Sequence, residues 1–374
     1  METAIVRFHR DGYHHVSMDD IASDVGISAG ALYRHFRSKQ DLLFAALSTL
    51  LDEYEELGVG INDPHPETLL AALARHTVRS RERGLVWQRY ARDLAPDQHE
   101  IARARLRGLA GRVAAAVQTR RPELDPSNAD MVAWAVLAVL ASPFEHRVTL
   151  SAARFESLLT GSAVALCDTP AVPARDVATA ETVAVGPYAN AFAASTHERI
   201  VAAAGQLIRE QGFDAVSMES IGAAVGITAA SVYNHFPSKS DVLLAVYARA
   251  SEGLRLGLSQ ALSRAQDTDN ALELVVRSYV SPALRPDGLS GLLFRETARL
   301  PESRQQSARR VQREYVDRWA RLVELPLNEA RIIVHAAIAL VNSLVTIPHL
   351  RARAGFEEEV VGLALDVLRG RPRV

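Results

Sequence analysis

Apolar residues recur at helical spacing along most of the chain, and one block of that pattern occurs twice. Residues 16–47 read VSMDDIASDVGISAGALYRHFRSKQDLLFAAL, and residues 216–247 read VSMESIGAAVGITAASVYNHFPSKSDVLLAVY. The copies align without a gap and share Val16/Val216, Ser17/Ser217, Met18/Met218, Ile21/Ile221, Gly26/Gly226, Tyr33/Tyr233, His35/His235, Phe36/Phe236, Lys39/Lys239 and Asp41/Asp241. A repeat of this length indicates a duplicated domain, not a short-period solenoid.

Each copy predicts three helices. Ser17 or Ser217 stands at an N-cap, with Asp19, Asp20 or Glu219 in the first turn. Ile21, Ala22 and Val25 place one apolar stripe on the first of them. Gly26 and Gly226 suit the tight turn that follows. Ser28 and Thr228 cap a second helix running to Phe36 and Phe236, and Ser-Lys-x-Asp opens the third as a capping box. Helix, glycine turn, short helix is the helix-turn-helix, whose second helix enters the major groove of DNA. Ahead of the second copy, residues 196–211 predict one more helix, closed by Gly212. The first copy has only METAIVRFHRD before Gly12, so its counterpart is about a turn shorter. His14 and His15 read as solvated turn residues, because no Cys or carboxylate pattern for a metal accompanies them.

Only two of the 42 Lys and Arg residues are lysines, Lys39 and Lys239, at one equivalent place in each copy. An ammonium on a flexible stem beside a helix N-terminus suits a phosphate oxygen; common descent without a role is the plain alternative. The shared pattern Tyr-x-His-Phe-x-Ser-Lys resembles the helix-turn-helix signature of the TetR family of one-component transcriptional regulators, in both halves. The bodies resemble a tandem-repeat branch of that family that includes regulators of lipid-uptake genes in high-GC bacteria. The resemblance implies an all-α fold of two repeats, each a three-helix head followed by a helical ligand-binding and dimerisation body. It implies that Tyr33, His35, Lys39, Tyr233, His235 and Lys239 grip the DNA backbone. It also implies that the helix starts, Ser28, Ala29 and Gly30, and Thr228, Ala229, Ala230 and Ser231, face bases. Arg34 opposite Asn234, and Arg37 opposite Pro237, predict unlike half-sites. Phe36 and Phe236 read as core plugs.

The expected boundaries are a first head at 1–48, a first body at 49–167, a linker at 168–195, a second head at 196–248 and a second body at 249–374. In body one, helices are expected at 67–83, 85–94, 97–120, 129–148 and 152–166. In body two they are expected at 270–281, 292–300, 302–325, 328–347 and 356–368. Residues 131–140 and 332–344 are apolar nearly all round and must be buried on several sides. Family resemblance assigns the last two helices of a body to a four-helix bundle with a partner, which the other half of the chain could supply. Candidate cavity linings are Trp87, Tyr90, Arg92 and Trp134 in body one, and Tyr279, Phe294, Arg295, Tyr315 and Trp319 in body two. Aromatics at this spacing serve equally as plain core. Arg89 and Arg295 could pair with Asp93 and Glu296. No nucleophile triad, metal spacing or Gly-rich phosphate loop stands out, so neither an enzyme nor a cofactor is expected.

Length and composition refine this picture. A chain of 374 residues suits two or three domains. No run of ~20 uncharged apolar residues appears, so no membrane span is expected. No signal-peptide core is evident, and the single Cys167, read as a packing residue, fits a reducing cytoplasm. Residues 1–50 carry five basic groups (Arg7, Arg10, Arg34, Arg37, Lys39) against six acidic ones (Glu2, Asp11, Asp19, Asp20, Asp24, Asp41), which implies few phosphate contacts. Segment 168–195, with Pro170, Pro173 and Pro187, reaches at most ~90 Å extended and ~30 Å as a coil. Successive major grooves on one face lie ~34 Å apart. Both an intrachain pseudo-dimer and a homodimer with four heads therefore remain open. The expected partners are double-stranded DNA and a small apolar effector, lipid-like or acyl-CoA-like, acting on a cytoplasmic repressor. The rival reading is an architectural DNA-bridging protein without an effector.

Overall fold

The computed structural model describes residues 1–60, 66–170, 195–285, 291, 294 and 296–370, and all regular structure among them is helical. Most of the expected linker therefore lies outside the described residues. The first repeat runs α1 (Glu2–Asp11), α2 (Met18–Val25), α3 (Ala29–His35), α4 (Lys39–Gly60), α5 (Pro66–Arg79), α6 (Arg81–Tyr90), α7 (Pro96–Arg120), α8 (Pro126–Ala141) and α9 (Ala152–Cys167). The second runs α10 (Thr196–Gln211), α11 (Met218–Val225), α12 (Ala229–His235), α13 (Lys239–Arg264), α14 (Thr268–Leu284), α15 (Glu302–Ala320), α16 (Leu327–Leu344), α17 (Pro348–Arg351) and α18 (Phe356–Arg369). The chain divides into two compact units. Unit 1 is Met1–Ala171 with Asn328–Ser343 and Asp366–Val374; unit 2 is Val172–Leu327 with Leu344–Leu365.

The heads form where their caps dictate. Ser17 Oγ accepts from the Asp20 amide at 3.1 Å, and the Asp20 carboxylate accepts from the Ser17 amide at 2.8 Å. Ser217 and Ser220 make the same reciprocal pair at 3.1 and 2.9 Å. Gly26 and Gly226 close these helices at φ 75° and 77°, in the left-handed region where a Cβ is disfavoured. Ser28 and Thr228 then accept from the amides of Ala31 and Ser231, each at 3.2 Å, and start the short second helix of the motif.

The two lysines do not stand free for phosphate. Lys39 Nζ donates to the carbonyls of Tyr13 at 2.9 Å and Val16 at 3.0 Å, and lies 4.5 Å from the centre of the Tyr13 ring. Lys239 Nζ donates to the carbonyls of Phe213, Asp214 and Val216 at 3.0, 3.3 and 2.9 Å, and lies 4.4 Å from the centre of the Phe213 ring. An ammonium has three donors, so Lys239 has no proton left for a phosphate. The expectation of a phosphate anchor is corrected for Lys239; Lys39, with two carbonyl acceptors, keeps one proton outside these bonds. Each lysine ties the first residue of the third head helix to the turn before α2 or α11, and so fixes the helix-turn-helix from behind.

The heads differ in how well they are covered. In the second, Arg199 donates to the Val225 carbonyl at 2.5 Å, and His197 packs 4.6 Å from the Phe236 ring. Val225 and Phe236 are buried there. In the first, α1 opens at Glu2, one turn later in the repeat; Val25 is 51% exposed and Phe36 only half-buried. Val25 therefore falls off the buried stripe expected of it.

In body one the break expected between the helices at 67–83 and 85–94 falls four residues earlier, at Ser80. Ser80 stands at φ −95° and ψ 18°, and Arg81 donates from the new helix to the carbonyls of Pro143 and Val148, each at 2.9 Å. The apolar period runs through Ser80 unchanged, so only these distant acceptors mark the break. Gly84 lies under the Phe144 ring, whose Cδ1 would sit 2.1 Å from an added Cβ. Segment Pro126–Phe144 is long and apolar enough to cross a membrane by length and composition, yet 67% of it is buried inside the fold. Its apolar residues are mostly core, as expected for 131–140, with Trp134 and Leu137 half-buried. Residues 332–344 are likewise buried apart from the half-buried His335 and Ser343. Within unit 1, Arg154 pairs with Glu329 at 2.6 Å, and the His146 ring stacks on His335 at 4.4 Å. Burial holds the His146 imidazole well below its ordinary titration range. Cys167 is buried, its thiol pushed up to about 12 by burial, and it donates to the Ala163 carbonyl at 3.3 Å.

Two outcomes follow for stability. Lys239→Met keeps the stem but removes the charge-assisted hydrogen bonds, and should cost ~1–3 kcal/mol in urea unfolding. It should leave the slope of log K against log salt for DNA unchanged; a slope lower by about one would restore the phosphate role. Gly84→Ala forces the Phe144 ring aside and should cost ~1–3 kcal/mol, relieved in part by Phe144→Leu. An unchanged unfolding midpoint for Gly84→Ala would contradict the close packing.

Candidate nucleic-acid interface

A seven-residue helix with one buried anchor leaves most of its side chains outward. In α3 the anchor is Leu32, and Ser28, Gly30, Tyr33, Arg34 and His35 are exposed around it, with Ala29 half-buried. In α12 the anchor is Val232, and Thr228, Ala230, Tyr233, Asn234 and His235 are exposed, with Ala229 and Ser231 half-buried. Tyr33 and Tyr233 are each 50% exposed, so both phenols remain available to a partner. Thr228 Oγ1 and Ser231 Oγ lie 3.0 Å apart and fix each other's rotamers. The outer faces therefore carry hydroxyls, phenols, imidazoles and small residues in matching order. That set suits close approach to a polar, grooved surface.

The charge on the faces is unequal. Arg34 and Arg37 are exposed in the first head, where the second has Asn234 and Pro237. Acidic groups nearby are neutralised from within: Arg7 bridges Asp24 at 2.7 Å and Asp11 at 2.9 Å. Hydrogen bonds from Arg10 and then Arg7 hold the Asp11 carboxyl below the usual carboxylate range, and the Arg7 contact does the same for Asp24. With the lysines engaged behind the motif, positive charge on α3 and its C-terminal flank comes from arginine, and α12 presents neutral donors.

The candidate cavity residues do not form one class. Tyr90 is buried, and Trp87 partly buried, in a core shared with Ile5, Phe8, Tyr13 and Leu47 of the first head. Tyr90 lies 5.7 Å from the Tyr13 ring. These two are corrected from cavity lining to head–body packing; aromatic spacing alone does not separate the roles. Trp134 is half-buried on α8. The side chain of Arg92, and the whole of Arg295, lie outside the described residues. In unit 2, Tyr279, Tyr315 and Trp319 form one buried group, with ring centres 5.9 to 6.4 Å apart, and Phe294 lies 6.4 Å from Tyr279. The Tyr315 hydroxyl and Trp319 Nε1 are buried and make no hydrogen bond of normal geometry. Burial raises the Tyr315 hydroxyl well above its ordinary range.

Comparison with known proteins bears on the same segments. Residues 1–46 and 200–246 match the family model for bacterial regulatory proteins, tetR family. The chain is 37% identical over 60 residues to HTH-type transcriptional regulator SAB2452 of Staphylococcus aureus, covering 15% of this chain and 32% of that protein. It is 26% identical over 111 residues to nucleoid occlusion factor SlmA of Photobacterium profundum, covering 29% of this chain and 57% of that one. The chain thus spans less than two thirds of each of these relatives. Similar solved structures include the TetR family regulator PfmR of Thermus thermophilus, at 19% identity and a TM-score of 0.39 over 47% of this chain and all of that one. A TetR-family regulator of Bordetella parapertussis matches at 25% identity and a TM-score of 0.35 over 42% of this chain and 90% of that one. Two segments of the chain, residues 1–46 and 200–246, are therefore similar to the N-terminal domain of bacterial regulatory proteins, tetR family.

Proposed function

We propose that this protein is a DNA-binding transcriptional regulator, acting as a repressor on paired, non-identical half-sites and released by a small apolar effector. The observation that carries the reading is the twice-repeated outer face of α3 and α12. Tyrosine and histidine stand exposed at equal places on both, while Gly30/Ala230 and Arg34/Asn234 differ. Equal backbone grips with unlike base-facing residues are what two different half-sites require.

Pairing of the heads within one chain is supported by the composition of unit 1. Residues Asn328–Ser343 of the second repeat's α16 belong to the same compact unit as the first repeat. A bundle helix supplied from the other repeat is what an intrachain pseudo-dimer would use, with a homodimer of four heads as the alternative. For the effector, the support is the aromatic group Tyr279, Tyr315 and Trp319. A buried donor without a partner costs roughly 1–3 kcal/mol. An apolar molecule with one acceptor oxygen would relieve that cost at Trp319 Nε1 and the Tyr315 hydroxyl. Such a molecule would act only through unequal affinity for the DNA-bound and free states.

Fluorescence anisotropy on a duplex selected from genomic fragments tests the reading. Tyr233→Ala and His235→Ala should each weaken binding about ten- to hundredfold, the range for losing a hydrogen bond to a charged phosphate. Gly30→Ala with Arg34→Asn should shift the first half-site's preference towards the second's. A protein that binds no fragment above its non-specific level, or is indifferent to Tyr233 and His235, would refute it. Failure of every cavity-bound compound to release the DNA would favour bridging without an effector.

A further inference from the structure

Body one contains a guanidinium whose inner edge meets no acceptor. Helix α7 carries Arg103, Arg105, Arg107, Arg112 and Arg120. Arg103 is exposed to water. Arg107 donates to Glu100 at 2.7 Å, and Arg120 donates to Asp168 from Nε at 2.7 Å and Nη2 at 2.9 Å. Arg105 faces α4. Its Nε donates to Glu55 Oε1 at 2.9 Å, and its Nη2 to Glu55 Oε2 at 2.8 Å and Asp52 Oδ1 at 2.6 Å. Arg112 stands seven residues on, two turns along the same side of α7. Its Nε and Nη2 are buried, and neither has a hydrogen-bond partner. These two atoms form the side edge of the guanidinium, the edge with which Arg105 grips Glu55. The carboxylates of α4 are already taken. The Glu55 carboxyl is held below its usual range first by the hydrogen bonds from Arg105 and more weakly by the Arg112 charge. Arg112 thus lies within the field of Glu55 without being its partner. Leu109, three residues before it, and Val113, next to it, are buried.

We propose that the buried edge of Arg112 is a binding site for the carboxylate of a small aliphatic acid, so that body one takes a charged ligand. Two buried donors on a cation are costly to leave unmade, and a carboxylate offers two oxygens at the spacing of the fork. The local charge selects a monoanion. Asp52 and Glu55 balance Arg105 and Arg112, so a doubly charged phosphate would bring one more uncompensated charge. The buried Leu109 and Val113 suit an apolar chain behind the carboxylate. Body two offers different chemistry at the same place. Leu94 and Leu300 each stand two residues ahead of their long helix, α7 or α15. Counted from them, Arg318 matches Arg112, Tyr315 matches Leu109 and Trp319 matches Val113. Arg318 is exposed, and the buried donors there are the uncharged Tyr315 hydroxyl and Trp319 Nε1. The site in body one stands apart from the DNA-binding reading, and its presence or absence decides nothing about that reading.

Isothermal titration of the full-length protein with octanoate tests the site, with octanol and inorganic phosphate as comparison probes. Arg112→Met should weaken octanoate binding about ten- to hundredfold, the range for a hydrogen bond to a charged group. Arg112→Lys keeps the charge but loses the fork, and should fall between. Octanol and phosphate should each bind the wild type about tenfold more weakly than octanoate, or worse. Tyr315→Phe, in body two, should leave octanoate affinity unchanged. Thermal unfolding separates a binding role from a structural one. Without ligand, Arg112→Met should keep or raise the midpoint, because it removes an uncompensated buried cation. Octanoate should raise the midpoint of the wild type and not that of Arg112→Met. A lowered midpoint for ligand-free Arg112→Met, equal octanoate affinity in that variant, or octanol or phosphate binding as tightly as octanoate would each overturn the proposal.

Discussion

The rest of the structure depends on an ammonium held by carbonyls. A short helix cannot hold its own orientation, because seven residues bury one side chain. In each head the lysine at the start of the third helix reaches back to the turn before α2 or α11 and closes the three helices into a rigid unit. The same ammonium rests on an aromatic ring, Tyr13 or Phe213, which adds an attraction that a neutral chain would not reproduce. With its charge used internally, the outer face is left to neutral donors and, in the first head, to Arg34 and Arg37.

From that clamp the two repeats diverge. The heads keep their caps, glycine turns and exposed Tyr and His. Around them, coverage differs: Arg199 and His197 shield Val225 and Phe236, while Val25 stays exposed. The bodies diverge further. Aromatics in the first are drawn into the core beneath its head, through Trp87 and Tyr90. Those in the second collect in a separate buried group with two polar atoms lacking partners. Unit 1 meanwhile takes in Asn328–Ser343 of the second repeat.

Much of this was legible in the sequence. Caps, turns and helix periods are local, and they placed α2, α3, α4 and their copies correctly. The all-round apolar helices, α8 and α16, announced their burial. What escaped were contacts between residues far apart in the chain. Lys39 meets Tyr13 and Val16 more than twenty positions away, and only the coincidence of an aromatic at 13 and 213 with a lysine at 39 and 239 hinted at it. His14 is the exposed turn residue that the sequence suggested, but its partner Asp93, 79 residues on, is not visible in any local pattern. Ser80 breaks a helix because Arg81 finds acceptors beyond residue 140, which no period records. Trp87 and Tyr90 show that aromatic spacing does not distinguish cavity wall from core.

Photo-crosslinking of a selected DNA duplex to probes placed singly along the full-length protein is the most direct measurement. The account predicts strong crosslinks from positions 33 and 233 on separate half-sites, and none from position 310 on the exposed flank of α15. Crosslinks confined to position 310, or absent from 33 and 233, would contradict the claim that the two outer faces read DNA.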